Sequence, residues 1–297
     1  MNNDKKFKTV IGIDVGGSST KIVGFKVFPE GEQEMIPPQF IRAADPITSI
    51  YGAFGHFTLD AGMTLSDIDR VMITGVGSTF LSQPIYELDC RHVPEFECVG
   101  RGGLYLSGLN EAIVVSMGTG TALIHAKKGK RGRISIEYMG GTGVGGGTLT
   151  GLCRRLIGVD TIEHIEQLSA EGDLSKIDLR VKDITSRKQD AETVLSGDLT
   201  AANFGKISDL ATPQDLARGV SNLVGESILM LAVFAARSKG VSTVVLTGNL
   251  TAISSIRDVF LNNDEKFGIH FLIPELSQYG PVIGAALTGA SEFETDS

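Results

Sequence analysis

The chain has 297 residues, 42% of them hydrophobic and 21% charged, and its formal net charge is −8. This length suits two domains with packed cores, and the acidic balance argues against a nucleic-acid partner because a negative surface repels a phosphate backbone. No apolar run approaches the roughly 20 residues that span a bilayer, and the first residues are polar, so we expect neither a membrane segment nor a signal peptide. The three cysteines lack metal-type spacing and are expected to be reduced thiols of a cytoplasmic protein.

The first predicted elements form a β-hairpin around a glycine-rich loop. Two apolar, β-branched runs, Thr9–Ile13 and Lys21–Val27, predict the strands. The residues between them, from Asp14 to Thr20, include two adjacent glycines and two serines. This segment predicts a wide loop whose backbone amides are accessible.

A second strand–loop–strand unit follows in mid-chain. Ala112–Met117 predicts a buried strand, Gly118–Thr121 a tight turn and Ala122–Ala126 the returning strand. Because this unit repeats the first, we predict a duplicated α/β chain with domains at residues 1–110 and 111–297.

Proline and glycine mark the ends of the other predicted elements. These elements are a loop over 29–40, a helix over 47–62, a strand over 70–75, a strand over 133–138, a helix that follows the glycine tract 140–148 and ends near 158, a helix over 160–171, a helix over 213–239 with Thr212 as N-cap, Pro213 at its first position and Gly240 at its end, a strand over 241–246, and a helix over 281–287. The last helix consists mainly of small residues and is expected to pack closely on a sheet.

Glycine-rich loops bind phosphates because bare backbone N–H groups can approach an anion, and three such arrangements compete here. The Walker A pattern has no match in the chain. The dinucleotide pattern G-x-G-x-x-G fits residues 141–146, but a lone match in a glycine tract is weak. The acid that would bind the ribose should end a second strand, whereas Glu163 and Glu166 fall in a helical pattern. This arrangement also leaves Asp14 and the Gly118–Thr121 turn without a role.

The third arrangement uses two hairpin loops that face each other across a cleft. The loop that begins at Asp14 and the turn Gly118–Thr121 would hold the β- and γ-phosphates of ATP from two sides, and Asp14 would hold Mg²⁺ through water. A third cluster, Gly145–Gly147, opens a helix and suits a nucleotide phosphate or ribose. In these features the chain resembles the actin-like ATPase and sugar-kinase superfamily. The resemblance implies an α/β fold of two ribonuclease-H-like domains with an ATP cleft between them.

A closer resemblance covers nearly the whole chain. Its segments are Ile13–Gly17, Pro94–Cys98, Gly118–Thr121, Gly145–Thr148, Gly151–Leu152, Gly197–Gly205 and Gly248–Asn249. With these segments the chain resembles the type II pantothenate kinases; the runs at 94–98 and 197–205 are the more specific ones. The resemblance implies transfer of the ATP γ-phosphoryl group to the primary hydroxyl of pantothenate, the first step of coenzyme A biosynthesis. It also implies a homodimer, with the helix over 213–239 as an interface element.

The resemblance also implies roles for individual residues. Glu95 matches the base that accepts the hydroxyl proton, and Glu97, Tyr138 and Gly140 lie in segments that bind the substrate. Lys21, at the end of the first loop, is suited to contact a phosphate. The complete set of predicted nucleotide-binding residues is Asp14, Gly16, Gly17, Ser18, Ser19, Thr20, Lys21, Gly118, Thr119, Gly120, Thr121, Gly145, Gly146, Gly147, Thr148, Gly248 and Asn249.

One position departs from the family pattern. Tyr138 stands where the family has an arginine that binds the pantothenate side, and a tyrosine hydroxyl brings no charge. Loss of a charge-assisted hydrogen bond costs about 1.5–3 kcal/mol if nothing replaces it. Arg101, Arg131 and Arg133 are candidates for compensation. Alternatively, the acceptor is a related molecule without the carboxylate, such as pantetheine.

Two other functions remain open at this stage. An amino-sugar kinase of the same superfamily would usually carry a late catalytic Asp and often a zinc motif, and neither is recognisable in the sequence. An ATP-binding regulator without turnover is a different class; the presence of Glu95 argues against it and Tyr138 argues mildly for it.

Overall fold

The structure is a computed structural model that describes residues 7–16, 19–41, 45–80, 83–130, 133–185 and 197–295. Its strands are β1 (Lys8–Val15), β2 (Thr20–Val27), β3 (Gln33–Ile41), β4 (Arg70–Thr74), β5 (Cys90–His92), β6 (Glu111–Met117), β7 (Thr121–Lys128), β8 (Ile134–Thr142), β9 (Leu179–Arg180), β10 (Thr200–Ala202), β11 (Thr243–Thr247) and β12 (His270–Leu272). Its helices are α1 (Pro46–Asp60), α2 (Glu95–Ser107), α3 (Gly146–Ile157), α4 (Ile162–Glu171), α5 (Val181–Ile184), α6 (Pro213–Lys239), α7 (Ser254–Leu261), α8 (Asp264–Phe267) and α9 (Gly280–Thr295).

Two five-stranded sheets repeat one topology. The first has the order β3-β2-β1-β4-β5 and the second, read in the same direction, β8-β7-β6-β11-β12. In each sheet three antiparallel strands form a meander. The first strand of that meander pairs in parallel with the next strand along the sheet, β4 or β11, which in turn pairs in parallel with the edge strand β5 or β12. The duplication expected from the two hairpins is therefore present.

Each sheet belongs to one lobe. We call the first sheet with α1 and α9 the first lobe, and the second sheet with α3, α4, α6 and α7 the second lobe. Each lobe has its own apolar core, built on the alternating or fully buried residues of its strands.

Two helices, α2 and α9, lie between the lobes. Residues of α2 pack on the second sheet, whereas α9 packs on the first sheet. The helices are so close that a Cβ atom on Gly102 would overlap Gly280, and one on Gly284 would overlap Cys98. The small residues of α9 also pack closely on the first sheet, as expected from the sequence, because a Cβ atom on Gly12 of β1 would overlap α9. A division at residue 110 separates the two sheets, but α9 returns from the second part of the chain to the first lobe.

The segment over 29–40 was expected to be a loop, and this expectation was wrong from residue 33 onwards. Gln33–Ile41 forms β3, the edge strand of the first sheet. Pro37 and Pro38 lie where the register with β2 shifts, between the pairs Ile22–Gln39 and Gly24–Ile36. Proline is tolerated there because an edge strand or bulge does not require every N–H group for pairing.

The long helix α6 has the boundaries that its sequence predicts. Thr212 accepts a hydrogen bond from the backbone of Asp215, Pro213 occupies the first turn, and Gly240 ends the helix with a positive φ of 65°. By length and composition α6 is apolar enough to cross a membrane, but 67% of its most apolar window is buried inside the protein. This burial is typical of the core helix of a globular protein.

Candidate active site

A cavity of about 530 Å³ lies where the two lobes meet. Twelve residues singled out from the sequence line it: Asp14, Gly16, Ser19, Lys21, Glu95, Gly118, Thr119, Gly120, Thr121, Tyr138, Gly248 and Asn249. Residues of the first hairpin, the second hairpin and the start of α2 are thus brought together although they are distant in sequence.

Asp14 and Lys21 form the charged floor of this cavity. They are direct partners in the antiparallel register of β1 and β2, so their side chains lie on the same face of the sheet. Burial raises the pKa of Asp14 and lowers the pKa of Lys21, and the attraction between the two charges opposes both shifts. Lys21 is only 6% exposed, and its ammonium group donates a 2.8 Å hydrogen bond to the side-chain oxygen of Asn249.

The first loop turns tightly after β1. The backbone N–H of Gly16 donates to the carbonyl of Ser19 at 2.9 Å, and both residues face the cavity. Thr20 is buried away from it and accepts a hydrogen bond from Ser49. Gly17 and Ser18, also predicted to bind the nucleotide, lie outside the described residues.

Gly75 supports the first loop and was not assigned a role from the sequence. It follows β4 with a positive φ of 86°, and a Cβ atom there would meet the carboxylate of Asp14 and the backbone of Val15. The available signal was the glycine that directly follows the apolar strand over 70–74.

The turn of the second hairpin, which faces the cavity, is built from neutral groups. It is closed by the N–H of Gly118, which donates to the carbonyl of Gly120 at 2.9 Å. The hydroxyl of Thr121 donates to the carbonyl of Val144 at 2.8 Å. These bonds tie the hairpin to the glycine tract that begins α3.

The glycine cluster at 145–147 lies behind the second hairpin and does not line the cavity. The N–H groups of Gly146 and Gly147 donate to the carbonyls of Gly118 and Thr119, each at 2.9 Å. A Cβ atom on Gly145 would lie 2.7 Å from the carbonyl oxygen of Thr119. Thr148 does not line the cavity either, and its hydroxyl donates to the carbonyl of Gly143 at 3.0 Å. In this arrangement the cluster fixes the position of the hairpin.

Glu95 is the first residue of α2 and reaches the cavity from between the lobes. Its carboxylate is open to the cavity, but the surrounding protein and the nearby charge of Asp14 raise its pKa, with burial as the larger cause. Glu97 points elsewhere and pairs with Arg101 at 3.0 Å on the same helix. Of these two acids, only Glu95 lines the cavity.

Phe96 and Tyr138 form an aromatic wall beside Glu95. Their rings are stacked with centroids 4.3 Å apart and planes 5° apart, and both line the cavity. Tyr138 comes from β8, whereas Phe96 comes from α2. Gly140, two residues after Tyr138, does not line the cavity, but Gly141, Thr142 and Gly143 do. Phe96 has no sequence signal of its own beyond its position next to Glu95.

The donor set can be tested against a magnesium ion. Within the described residues no group of three or more His, Cys, Asp and Glu side chains is placed to hold a metal. Mg²⁺ commonly binds through one or two carboxylates, with phosphates and waters completing its coordination. Asp14, a single carboxylate on the cavity floor, fits an ion that arrives with a nucleotide.

Comparison with solved structures identifies the fold. Component A of the (R)-2-hydroxyglutaryl-CoA dehydratase of Acidaminococcus fermentans aligns with a TM-score of 0.64 at 18% identity, over 96% of this chain and 98% of that one. A ROK family glucokinase from Streptomyces griseus, in complex with glucose and AMPPNP, aligns with a TM-score of 0.58 at 12% identity, over 94% and 98%. The predicted fold class is confirmed: the chain has the two-lobed fold of the actin-like ATPase and sugar-kinase superfamily.

Sequence comparison gives the family. The family model named Fumble matches residues 111–262, just over half of the chain, and the chain belongs to this family. A type II pantothenate kinase of Oceanobacillus iheyensis is 28% identical over 294 residues, which cover 94% of this chain and 98% of that protein. Another, of Staphylococcus saprophyticus, is 29% identical over 250 residues, or 80% and 84%. The resemblance inferred from the sequence segments is confirmed.

Proposed function

We propose that the protein is an ATP-dependent pantothenate kinase that phosphorylates the primary hydroxyl of pantothenate, the first step of coenzyme A biosynthesis. The observation that carries the proposal is that Asp14, Glu95 and the Gly118–Thr121 hairpin line one cavity. These are the metal-holding carboxylate, the base and the phosphate loop that such a reaction requires. The names of the full-length relatives point to the same activity.

The two hairpins are suited to hold the triphosphate of ATP. Lys21 supplies a positive charge on one side. On the other side the accessible turn at Gly118–Thr121 supplies backbone N–H groups other than that of Gly118, which closes the turn. The glycine cluster at 145–147 keeps this second turn in place. In-line transfer depends mainly on such positioning and on charge stabilisation.

Asp14 would hold Mg²⁺ through water, and the ion would neutralise charge on the β- and γ-phosphates when bound. The carboxylate is suited to this role because its position is fixed by β1 and by the close approach of Gly75.

Glu95 is the proposed base. Its raised pKa makes the carboxylate a better proton acceptor while it remains ionised above that pKa. The proton of the acceptor hydroxyl would pass to a Glu95 oxygen as the hydroxyl oxygen attacks the γ-phosphorus and the bond to ADP breaks. This arrangement puts the acceptor between Glu95 and the second hairpin.

We propose that the rest of the acceptor lies along β8, against Tyr138 and near Gly140. Glu97 would act from a distance, because it pairs with Arg101. Arg101 is thereby already engaged, Arg133 is exposed, and Arg131 lies outside the described residues. The carboxylate of pantothenate would then be bound by neutral groups.

We further propose a cytoplasmic homodimer. Its three cysteines are free thiols, which suits a reducing compartment. An apolar stripe on α6 is open to solvent, with Leu231 36% and Phe234 57% exposed, and a second copy of α6 is its proposed partner. Light scattering on the purified protein tests the predicted mass of two chains.

The activity is tested by measuring ADP release with pantothenate, pantetheine and N-acetylglucosamine as acceptors. We expect turnover with pantothenate. A protein that turns over neither pantothenate nor pantetheine would contradict the proposal. Glu95→Gln should abolish turnover while ATP still binds, because the amide cannot accept the proton. The matched control is Glu30→Gln, an exposed acid in the turn that follows β2, at the end of that strand opposite Lys21. A fully active Glu95→Gln protein would exclude Glu95 as the base.

A further inference from the structure

Lys21 and Asn249 form a hydrogen bond that joins the two lobes inside the cavity. The lysine belongs to β2 of the first sheet, and the asparagine follows β11 of the second sheet. The distance from Nζ to Oδ1 is 2.8 Å, although the residues are 228 positions apart in sequence. A lysine ammonium only donates hydrogen bonds, so the side-chain atom of Asn249 that faces it must be the oxygen.

Asn249 is held on a rigid support. The N–H of Gly248 donates to the carbonyl of Ser277 at 3.0 Å, and the buried Thr251 donates to the carbonyl of Gly248 at 2.7 Å. Gly248 has a positive φ of 97° and fits against the backbone of Met117, where a Cβ atom would overlap. Because Met117 directly precedes the second hairpin, Asn249 is fixed relative to that hairpin.

A lysine needs such a partner to have a defined position. Its ammonium group sits on a flexible four-carbon stem, and it contacts a phosphate as a point charge with three donors. The oxygen of Asn249 uses one donor and leaves two. Because the amide is neutral, it orients the ammonium without cancelling the charge that a phosphate requires.

We propose that Asn249 is a positioning residue, which holds the ammonium of Lys21 in the centre of the cleft so that it meets the nucleotide phosphates. This assigns Asn249 a role through Lys21 and not a direct contact with the nucleotide. The proposal rests on ATP as the phosphoryl donor. It does not depend on the identity of the acceptor.

The first experiment compares the binding of ATP, ADP and adenosine to the wild type and to Asn249→Leu by calorimetry. We expect the dissociation constants for ATP and ADP to rise at least tenfold, as for the loss of a bond to a charged group. Adenosine has no phosphate, so its affinity should not change. An equal loss for all three compounds, or no loss for any, would overturn the proposal.

Two further variants guard against a failure to fold. Asn249→Asp keeps the shape and the hydrogen bond, but its negative charge cancels the positive charge of the ammonium. It should therefore weaken the binding of ATP and ADP and leave the binding of adenosine unchanged. Asn110→Leu is the matched control at an exposed asparagine outside the cavity, and its affinities should equal those of the wild type. If Asn249→Asp binds ATP as tightly as the wild type does, the proposal is wrong.

A double-mutant cycle tests whether the effect passes through Lys21. Lys21→Met should weaken ATP binding. Adding Asn249→Leu to it should cause little further loss of ATP affinity, because the ammonium that Asn249 positions is already absent. Additive losses would mean that Asn249 acts independently of Lys21. A wild-type protein that does not bind ATP at all would instead contradict the proposed function. If the variants show the expected pattern of ATP, ADP and adenosine binding but the wild type does not phosphorylate pantothenate, only the assignment of the acceptor would be wrong.

Discussion

The two central hairpins occupy equivalent places in the repeated sheets but carry different chemistry. In the first, the pair Asp14–Lys21 precedes the pair Val15–Thr20 and the loop. In the second, the pair Ser116–Ala122 precedes the pair Met117–Thr121 and the turn. Where one hairpin has a carboxylate and an ammonium group, the other has a hydroxyl and a methyl group. The repeated fold thus builds two hairpins of the same geometry, but only the first carries charged side chains at this position.

The strands beside these hairpins match as well. β4 pairs Thr74 with Asp14, and β11 pairs Thr247 with Ser116. Each strand is followed by a glycine of positive φ, Gly75 or Gly248, that backs onto the end of the central strand. At the cavity, the two hairpins therefore differ in a few side chains within a shared backbone frame. In the proposed function, the first hairpin supplies the charged groups and the second hairpin supplies backbone N–H groups to the phosphates.

The largest effect is expected when the first hairpin is made to resemble the second. Asp14→Ser removes the carboxylate proposed to hold Mg²⁺, and kcat should fall about 10³-fold, as for the loss of a preorganised electrostatic group. ADP release at saturating ATP and pantothenate measures the effect. A kcat within tenfold of the wild type would mean that the charge of the first hairpin is not needed for transfer.

Next comes a change that displaces the second hairpin without altering any charge. Gly145→Ala would bring a methyl group to 2.7 Å from the carbonyl oxygen of Thr119. The turn must then move, and a shift of about 1 Å typically lowers the rate roughly 10²-fold, here in kcat/KM for ATP. The matched control is Gly151→Ala on the same helix, where a methyl group meets no atom within 4 Å. Equal activity of the two variants would show that the hairpin position is not critical.

A smaller effect is expected on the acceptor side, where Tyr138 of β8 stacks on Phe96, the residue next to Glu95. Tyr138→Arg adds a charge at the proposed carboxylate position, and one charge-assisted bond should lower the KM for pantothenate about tenfold. The KM for pantothenamide, in which a neutral amide replaces the carboxylate, serves as the control and should not fall. An unchanged KM for pantothenate would mean that the carboxylate binds elsewhere.

How much of this site could be predicted depended on the range of the interactions. The caps of α6 and the two hairpins follow from local residues, and Asp14 could be selected because a carboxylate beside two glycines is a local signal. Glu95 required the resemblance, since nothing near it in sequence marks a base. The bond from Lys21 to Asn249 arises from a contact between distant segments, which no local pattern encodes. For Gly75 the sequence shows a glycine after a strand but not that it contacts the first loop. The strand β3 was missed because its prolines sit at a bulge that only the register with β2 reveals.

The smallest effect concerns stability, and it tests what the charged hairpin imposes on the fold. Asp14→Asn combined with Lys21→Met makes the pair neutral, like its counterpart Ser116–Ala122. Replacing two buried opposite charges by neutral side chains is often neutral or stabilising by about 1 kcal/mol or more, which corresponds to a Tm increase of roughly 2–4 °C. The pKa of Asp14 is raised and that of Lys21 is lowered. The penalty of the carboxylate therefore appears as pH rises through its pKa, and the penalty of the ammonium disappears as pH rises through its own. The gain of the double variant should be greatest between these two pKa values and should shrink towards acid and alkaline pH.

Each single variant leaves one charge without its partner and should melt below the double variant. Calorimetry of the nucleotide-free proteins measures the Tm of the wild type, the single variants and the double variant across pH. A double variant that melts well below the wild type at neutral pH would mean that the two charges stabilise the fold.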